Sequence, residues 1–284
     1  MPPATGPHSA GAAAPAPALV DDAGVAHAPV ADAPRIVSLV PSITELLFDL
    51  GLGPAVVGRT AFCVHPAGTV RRAKSVGGTK QVNMTKLEAL APTHAIVNID
   101  ETPRHLADDL AALGITVVVT HPVEVRDNLR LYRLIGAVFR RDREAEALCQ
   151  RFEAAYEDLL RARRILDLQR RVLYLIWRDP WMTVSRETYI ARMLSLIGLH
   201  TEPVVAASRY PAVTMDEALL SQCDRVLFAT EPFPFKDSHV AAFREAFPRH
   251  AAKARLIDGE LVSWYGSRAV AGLRYLGELA GDRE

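Results

Sequence analysis

The chain carries only three cysteines, Cys63, Cys149 and Cys223, an odd number spread far apart with no CxxC pair. That excludes a disulfide framework and a structural zinc ribbon, and fits a reducing compartment. Neither sign of charge dominates, with 33 basic against 33 acidic residues and no Lys/Arg block. Nucleic acid and anionic membrane are thereby excluded as main partners. No apolar run approaches the roughly 20 residues that a bilayer-spanning helix needs. Signatures of catalysis are missing too. There is no dinucleotide fingerprint, no metalloprotease helix and no Ser- or Cys-His-Asp spacing, and Gly77-Gly-Thr-Lys80 lacks the length and the Ser/Thr of a phosphate loop.

What is present is organised around residues 142–169, a charged, alanine-rich run without glycine or proline. Leu148, Phe152, Ala155, Leu159 and Ala162 recur at spacings of three and four and trace one helical face. Acids come early and bases late, as the helix dipole favours. Such a helix would be roughly 40 Å long, more than a small domain needs.

The chain before this helix resembles the chain after it. Arg35-Ile-Val-Ser-Leu-Val40 matches Arg171-Val-Leu-Tyr-Leu-Ile176, each a buried strand entered from an arginine. Residues 84–98 lie over residues 215–229 without a gap, each reading as short helix, turn and strand. That register sets Asp100 opposite Glu231, both just past a strand end, and Thr85 opposite Asp216. With 284 residues and 49% apolar composition, two α/β lobes joined by one long helix is the simplest architecture. The expected fold is therefore two doubly wound lobes, at 35–141 and 170–284, on either side of the helix. Residues 1–34, rich in alanine and proline, read as a disordered leader without the layout of a secretory signal. As encoded, the chain is expected in the cytoplasm, or in the periplasm if translation begins elsewhere.

Locally, Ser42-Ile-Thr-Glu45 has the form of a capping box opening a helix that stops at Gly51. Strands are expected at 55–60 and 115–120 and helices at 104–113 and 125–139. Aromatics follow strand ends in the second half: Trp177-Arg-Asp-Pro-Trp181, Glu231-Pro-Phe-Pro-Phe235 and Ser263-Trp-Tyr265. Ligands of open α/β sheets sit beyond the carboxyl ends of strands. Two facing lobes would place Arg59, Phe62, Lys80, Asn98, Glu101, Trp181, Glu231, Phe233, Trp264, Tyr265 and Arg268 around one cleft, a mix of flat apolar faces and a few polar groups. Cys63-Val-His65 is either a half-site for a metal, completed by Glu101 or His121, or a packed cysteine beside a turn histidine.

Arg35-Ile-Val-Ser-Leu-Val-Pro-Ser-Ile-Thr-Glu45, Val57-Gly-Arg-Thr-Ala-Phe-Cys-Val-His-Pro66 and Val76-Gly-Gly-Thr-Lys80 together resemble the substrate-binding proteins whose lobes are joined by a single helix. The branch they resemble is the vitamin B12 and iron-chelate receptors of ABC importers. The resemblance implies binding rather than catalysis, no required cofactor, and a monomer holding a corrinoid or related metal chelate between its lobes. It sets Phe62, Trp181 and Tyr210 where that class sandwiches a corrin by aromatics, with Thr79 in place of a further tryptophan. It also implies a permease partner docked through one acid per lobe, of which Asp216 is present and Thr85 replaces the other. The alternatives are a cytoplasmic sensor or chaperone for cobalamin or a metal ion, and a metal-dependent enzyme built on the Cys63/His65 pair.

Overall fold

The computed structural model describes residues 19–163 and 169–281. In chain order the elements are β1 (Leu19–Val20), β2 (Ala26–His27), β3 (Ile36–Ser38), α1 (Pro41–Asp49), β4 (Val56–Arg59), β5 (Lys74–Ser75), α2 (Met84–Glu88), β6 (His94–Asn98), α3 (Arg104–Ala112), β7 (Thr116–Thr120) and α4 (Asp127–Val138). The long helix α5 (Asp142–Arg163) follows. Beyond it come β8 (Arg170–Leu175), α6 (Tyr189–Ser195), β9 (Leu199–Thr201), α7 (Glu217–Gln222), β10 (Arg225–Ala229), α8 (Asp237–Ala246), β11 (Ala254–Ile257), α9 (Gly259–Ser263) and α10 (Ala269–Gly281).

Two parallel sheets result, ordered β5-β4-β3-β6-β7 and β11-β10-β8-β9. The internal repeat extends to register. Ile36 of β3 lies against His94 of β6, and Val172 of β8 lies against Arg225 of β10. The helices before these strands start two residues out of step, because Asn83 caps α2 while Asp216 caps α7. In both sheets the strand order reverses between the first strand and the helix-led one, the switch point where such folds leave a crevice.

The helix α5 has 22 residues, about 33 Å at 1.5 Å per residue. Leu148, Phe152, Ala155 and Leu159 are buried as the spacing predicts, whereas Ala162 is exposed, so the buried stripe ends one turn early. The last part of the expected helix, residues 164–168, lies outside the described residues. The helix packs on α4 and α10, and one continuous apolar core runs from α1 through α4, α5 and α10 into α6. The lobes are thus joined by shared core as well as by helix. Gly266 is part of this junction. Its φ of +85° suits glycine, and a Cβ there would stand 3.1 Å from the Ser42 carbonyl of the first lobe. Its carbonyl accepts the Tyr132 hydroxyl at 2.8 Å and its N–H donates to Asn128 at 2.7 Å.

Two local expectations are corrected. Residues 19–34, expected to be disordered, form a small antiparallel hairpin and a strap across the first lobe; residues 1–18 lie outside the described residues. Two aspartates account for the order. Asp21 accepts the N–H groups of Ala23, Val25 and Val119 and pairs with His27, and Asp22 donates its N–H to the Val119 carbonyl. The outer edge of β7 is thereby covered, which satisfies the backbone groups of an otherwise open edge strand. The capping box does not form either. Pro41, which has no N–H to lose, starts α1 two residues early with Val40 as its cap. Glu45 is then free to reach the other lobe. Among the described residues no helix is long and apolar enough to cross a membrane.

Candidate functional site between the lobes

The carboxyl ends of both sheets converge, because segments leaving them bond to one another across the gap. After β6, Asp100 accepts the Tyr210 hydroxyl at 3.1 Å and pairs with Arg209 at 3.0 Å, both from the second lobe. Its other oxygen lies 3.5 Å from His121, just past β7. The neighbouring Glu101 accepts the Tyr265 hydroxyl at 2.9 Å. A second bridge crosses elsewhere: Arg268 holds Glu45 with two bonds of 2.7 and 2.8 Å and reaches Glu260 at 3.1 Å. Glu260 in turn meets His65, on the loop after β4, at 2.9 Å. Arg268 also lies over the Trp264 ring at 5.0 Å, and His65 meets that ring edge-on at 5.5 Å.

Large apolar side chains left in solvent mark the same strand ends. Phe62 (62% exposed) and Val64 follow β4, Ile99 follows β6, Trp177 (41%) follows β8, and Val204 and Val205 follow β9. Exposed apolar groups gathered where two lobes face each other point to a ligand surface rather than to scattered surface residues.

The expected site residues divide into those the fold turns toward this cleft and those it commits elsewhere. Glu101 with Tyr265, Tyr210 through Asp100, Glu231 with Trp264 and Arg268 over Trp264 are brought together at the strand ends, with Trp264 and Tyr265 buried, while Phe62 and Phe233 stand on the loops after β4 and β10. Phe233 meets Trp177 edge-on at 5.6 Å, while Thr79 and the exposed Lys80 sit on the turn closed by the Gly77–Val82 bridge. Arg59, expected to face ligand, donates instead to the carbonyls of Val70 and Thr60. Asn98 is buried and accepts the Asp100 N–H at 2.8 Å, so it shapes the turn that presents the two acids. Trp181 stacks on Phe235 at 6.1 Å and packs on the core of the second lobe. Its neighbour Trp177 is the exposed aromatic, recognisable afterwards as the first residue beyond the strand run. Arg268 is committed to two carboxylates, not left open for ligand.

Cys63 and His65 do not converge. The Cys63 thiol is fully buried between the hydroxyls of Thr44 and Thr60, at 3.0 and 3.1 Å, and burial pushes its pKa up. His65 points the other way, to Glu260. Among the described residues no group of three or more His, Cys, Asp or Glu is placed to hold a metal ion. Asp216 is exposed and caps α7 by accepting the Leu219 N–H at 2.9 Å, and Thr85 is exposed on α2.

Electrostatically the cleft is rich in acceptors. Burial pushes the Glu101 carboxyl up to about 7, the charges of Glu231 and Asp100 add to this, and the Tyr265 bond and Lys80 oppose it. Burial also raises Glu231, against the bonds it accepts from Ser263 and Trp264. Sequence reasoning missed Glu45, Asp100, Arg209 and Glu260 as the groups that tie the lobes together.

Among sequence relatives, the vitamin B12-binding protein of Yersinia pestis (strain Pestoides F) is 26% identical over 183 residues, 64% of this chain and 64% of that protein. The Yersinia pseudotuberculosis (serotype O:3, strain YPIII) vitamin B12-binding protein matches to the same extent, so the chain spans less than two thirds of the length of these relatives. Among solved structures, the periplasmic vitamin B12 binding protein BtuF of Vibrio cholerae superposes with a TM-score of 0.75 at 18% identity, covering 88% of this chain and 98% of that one. The periplasmic heme-binding protein RhuT from Roseiflexus sp. RS-1 superposes with a TM-score of 0.73 at 20% identity, covering 88% and 100%. A sequence model of the periplasmic binding protein family matches residues 36–241, which takes in most of both lobes and the whole of α5, and the chain belongs to that family.

Proposed function

We propose that this protein is a solute-binding protein whose inter-lobe cleft holds a flat metal chelate of the corrinoid type. The observation that carries the reading is the set of exposed apolar side chains at strand ends of both lobes, Phe62, Val64 and Ile99 on one side and Trp177 and Val204 on the other. A planar ring system covers such faces at low entropic cost, and the polar groups between them fix its orientation. Binding rather than catalysis is supported by Cys63, whose enclosed thiol forms no nucleophile–base pair with His65.

The relatives named for vitamin B12 and for heme divide on ligand. We assign the corrinoid because arginines near the strand ends are already committed: Arg59 to carbonyls, Arg178 to Asp179, Arg209 to Asp100, Arg268 to Glu45 and Glu260. Calorimetric and absorbance titration with cobalamin, cobinamide and heme tests this. One-to-one binding of a corrinoid is expected; binding of heme alone, or of none of the three, overturns the reading.

An importer permease as partner belongs to the same proposal. Asp216 offers one exposed carboxylate at the α7 end of the second lobe, and Thr85 offers none on the first. Thr85→Glu is expected to strengthen capture of a vitamin B12-type permease; unchanged capture would refute docking through these positions.

A further inference from the structure

We infer that Glu101 and Glu231 set the ligand specificity of the cleft, selecting chelates whose periphery carries carboxamides or other hydrogen-bond donors and rejecting those that carry carboxylates. The inference rests on the chelate reading above and adds to it a rule for which chelates enter.

The two carboxyls come from opposite lobes, one after β6 and one after β10, and the internal repeat matches Glu231 with Asp100, the residue before Glu101. Each is half-buried, so neither is simply a solvated surface acid. Each keeps acceptor capacity after its protein bonds. Glu101 uses Oε1 for Tyr265, and Glu231 accepts the Ser263 hydroxyl at Oε2, at 3.3 Å, and the side-chain N–H of Trp264. An ionised carboxylate offers about four lone-pair sites, so both residues keep acceptor capacity beyond these bonds. Donors on the periphery of a ligand can fill it.

The surroundings reinforce this. Asp100 adjoins Glu101, and Glu260 contributes to the field at Glu231. The guanidinium groups that could neutralise an incoming carboxylate are held by Asp100, by Glu45 with Glu260, and by backbone carbonyls. Lys80 is the cation whose charge reaches Glu101, and it sits exposed on its turn. A ligand carboxylate brought to this wall meets the like charges of Glu101, Glu231, Asp100 and Glu260 against the one exposed ammonium of Lys80, whereas an amide NH₂ meets an acceptor. Building repulsion against the wrong ligand is how a site gains specificity beyond its attractive contacts.

A pair of corrinoids with the same ring isolates the rule: cobinamide, whose side chains are carboxamides, and cobyrinic acid, whose side chains are carboxylates. Affinities of the whole chain for both are measured at about pH 8, where carboxylates are ionised. The wild-type protein is expected to favour cobinamide roughly 100-fold. Glu101→Gln, which keeps an acceptor for Tyr265, and Glu231→Gln are each expected to shrink that ratio about tenfold, and the double variant to bring it near unity. Circular dichroism establishes that each variant is folded, and either single variant suffices if the other does not fold. Equal wild-type affinity for the two corrinoids, or a ratio unchanged in the folded variants, overturns this inference and leaves the chelate reading standing. Failure of the wild type to bind either corrinoid overturns both.

Discussion

Replacing Glu101 by glutamine should change how stability depends on pH, in a direction fixed by the structure. The Glu101 carboxyl is pushed from an ordinary 4.5 to about 7, first by burial and then by the charges of Glu231 and Asp100, against the bond from Tyr265 and the charge of Lys80. The folded state therefore holds this proton where the unfolded chain has released it. Stability from this group is fully present below the unfolded pKa and is lost as pH rises through the folded one. At about 1.4 kcal/mol per tenfold change in proton affinity, the ceiling on that loss is about 3 kcal/mol. The carboxyl is half-buried and keeps some solvent, so we expect about 2 kcal/mol. Lowered Asp21 acts in the opposite direction and cancels because it is present in both proteins, whereas raised Glu231 acts in the same direction and, being coupled to Glu101, adds its own change to the difference. Urea denaturation of ligand-free protein at about pH 5 and about pH 8 gives the comparison. Between these conditions the wild type should lose about 2 kcal/mol more than Glu101→Gln. Parallel profiles would refute the buried, proton-holding carboxyl.

Other expectations follow from the same geometry. Arg268→Ala removes the bidentate pair with Glu45 and the contact with Glu260, and should cost about 2–3 kcal/mol in urea denaturation, with Arg268→Lys recovering little because an ammonium cannot fork. Phe62→Ala should weaken corrinoid binding about tenfold by calorimetry. It should leave stability within about 0.5 kcal/mol, since the ring is largely in solvent. Cys63, Cys149 and Cys223 are all buried with pKa values raised by burial, so the native protein should react slowly with a chromogenic disulfide reagent and rapidly once unfolded in urea. Fast labelling of Cys63 in the native state would contradict its enclosure between Thr44 and Thr60.

The parts of the fold legible in the sequence are those written in periodicity and repetition. Leu148, Phe152, Ala155 and Leu159 lie where their spacing places them, and the ungapped match of residues 84–98 to 215–229 reappears as equal strand register in two sheets. What escaped reading depends on which acceptor a polar group finds. Glu45 has the spacing of a local cap, yet its partner is Arg268, 223 residues away. Arg59 reads as a ligand-facing cation because its sequence neighbours do not reveal that the Val70 carbonyl is within 3.1 Å. The aspartates at 21 and 22 look like a polar tail, and only the bare edge of β7 turns them into an anchor. Trp177 and Trp181 are alike as residue types. Packing against Phe235 decides that Trp181 joins the core while Trp177 stays at the cleft.

The central claim is that a flat chelate sits between the lobes. All three tryptophans of the chain, Trp177, Trp181 and Trp264, belong to the second lobe and lie at or near its strand ends. A corrinoid held in the cleft absorbs where tryptophan emits, so cobalamin added to the protein should quench that emission and saturate at one equivalent. Phe62→Ala, a change in the opposite lobe that touches no tryptophan, should shift the titration to higher concentration. Emission that does not respond to cobalamin, cobinamide or heme in the folded wild-type protein would contradict the account.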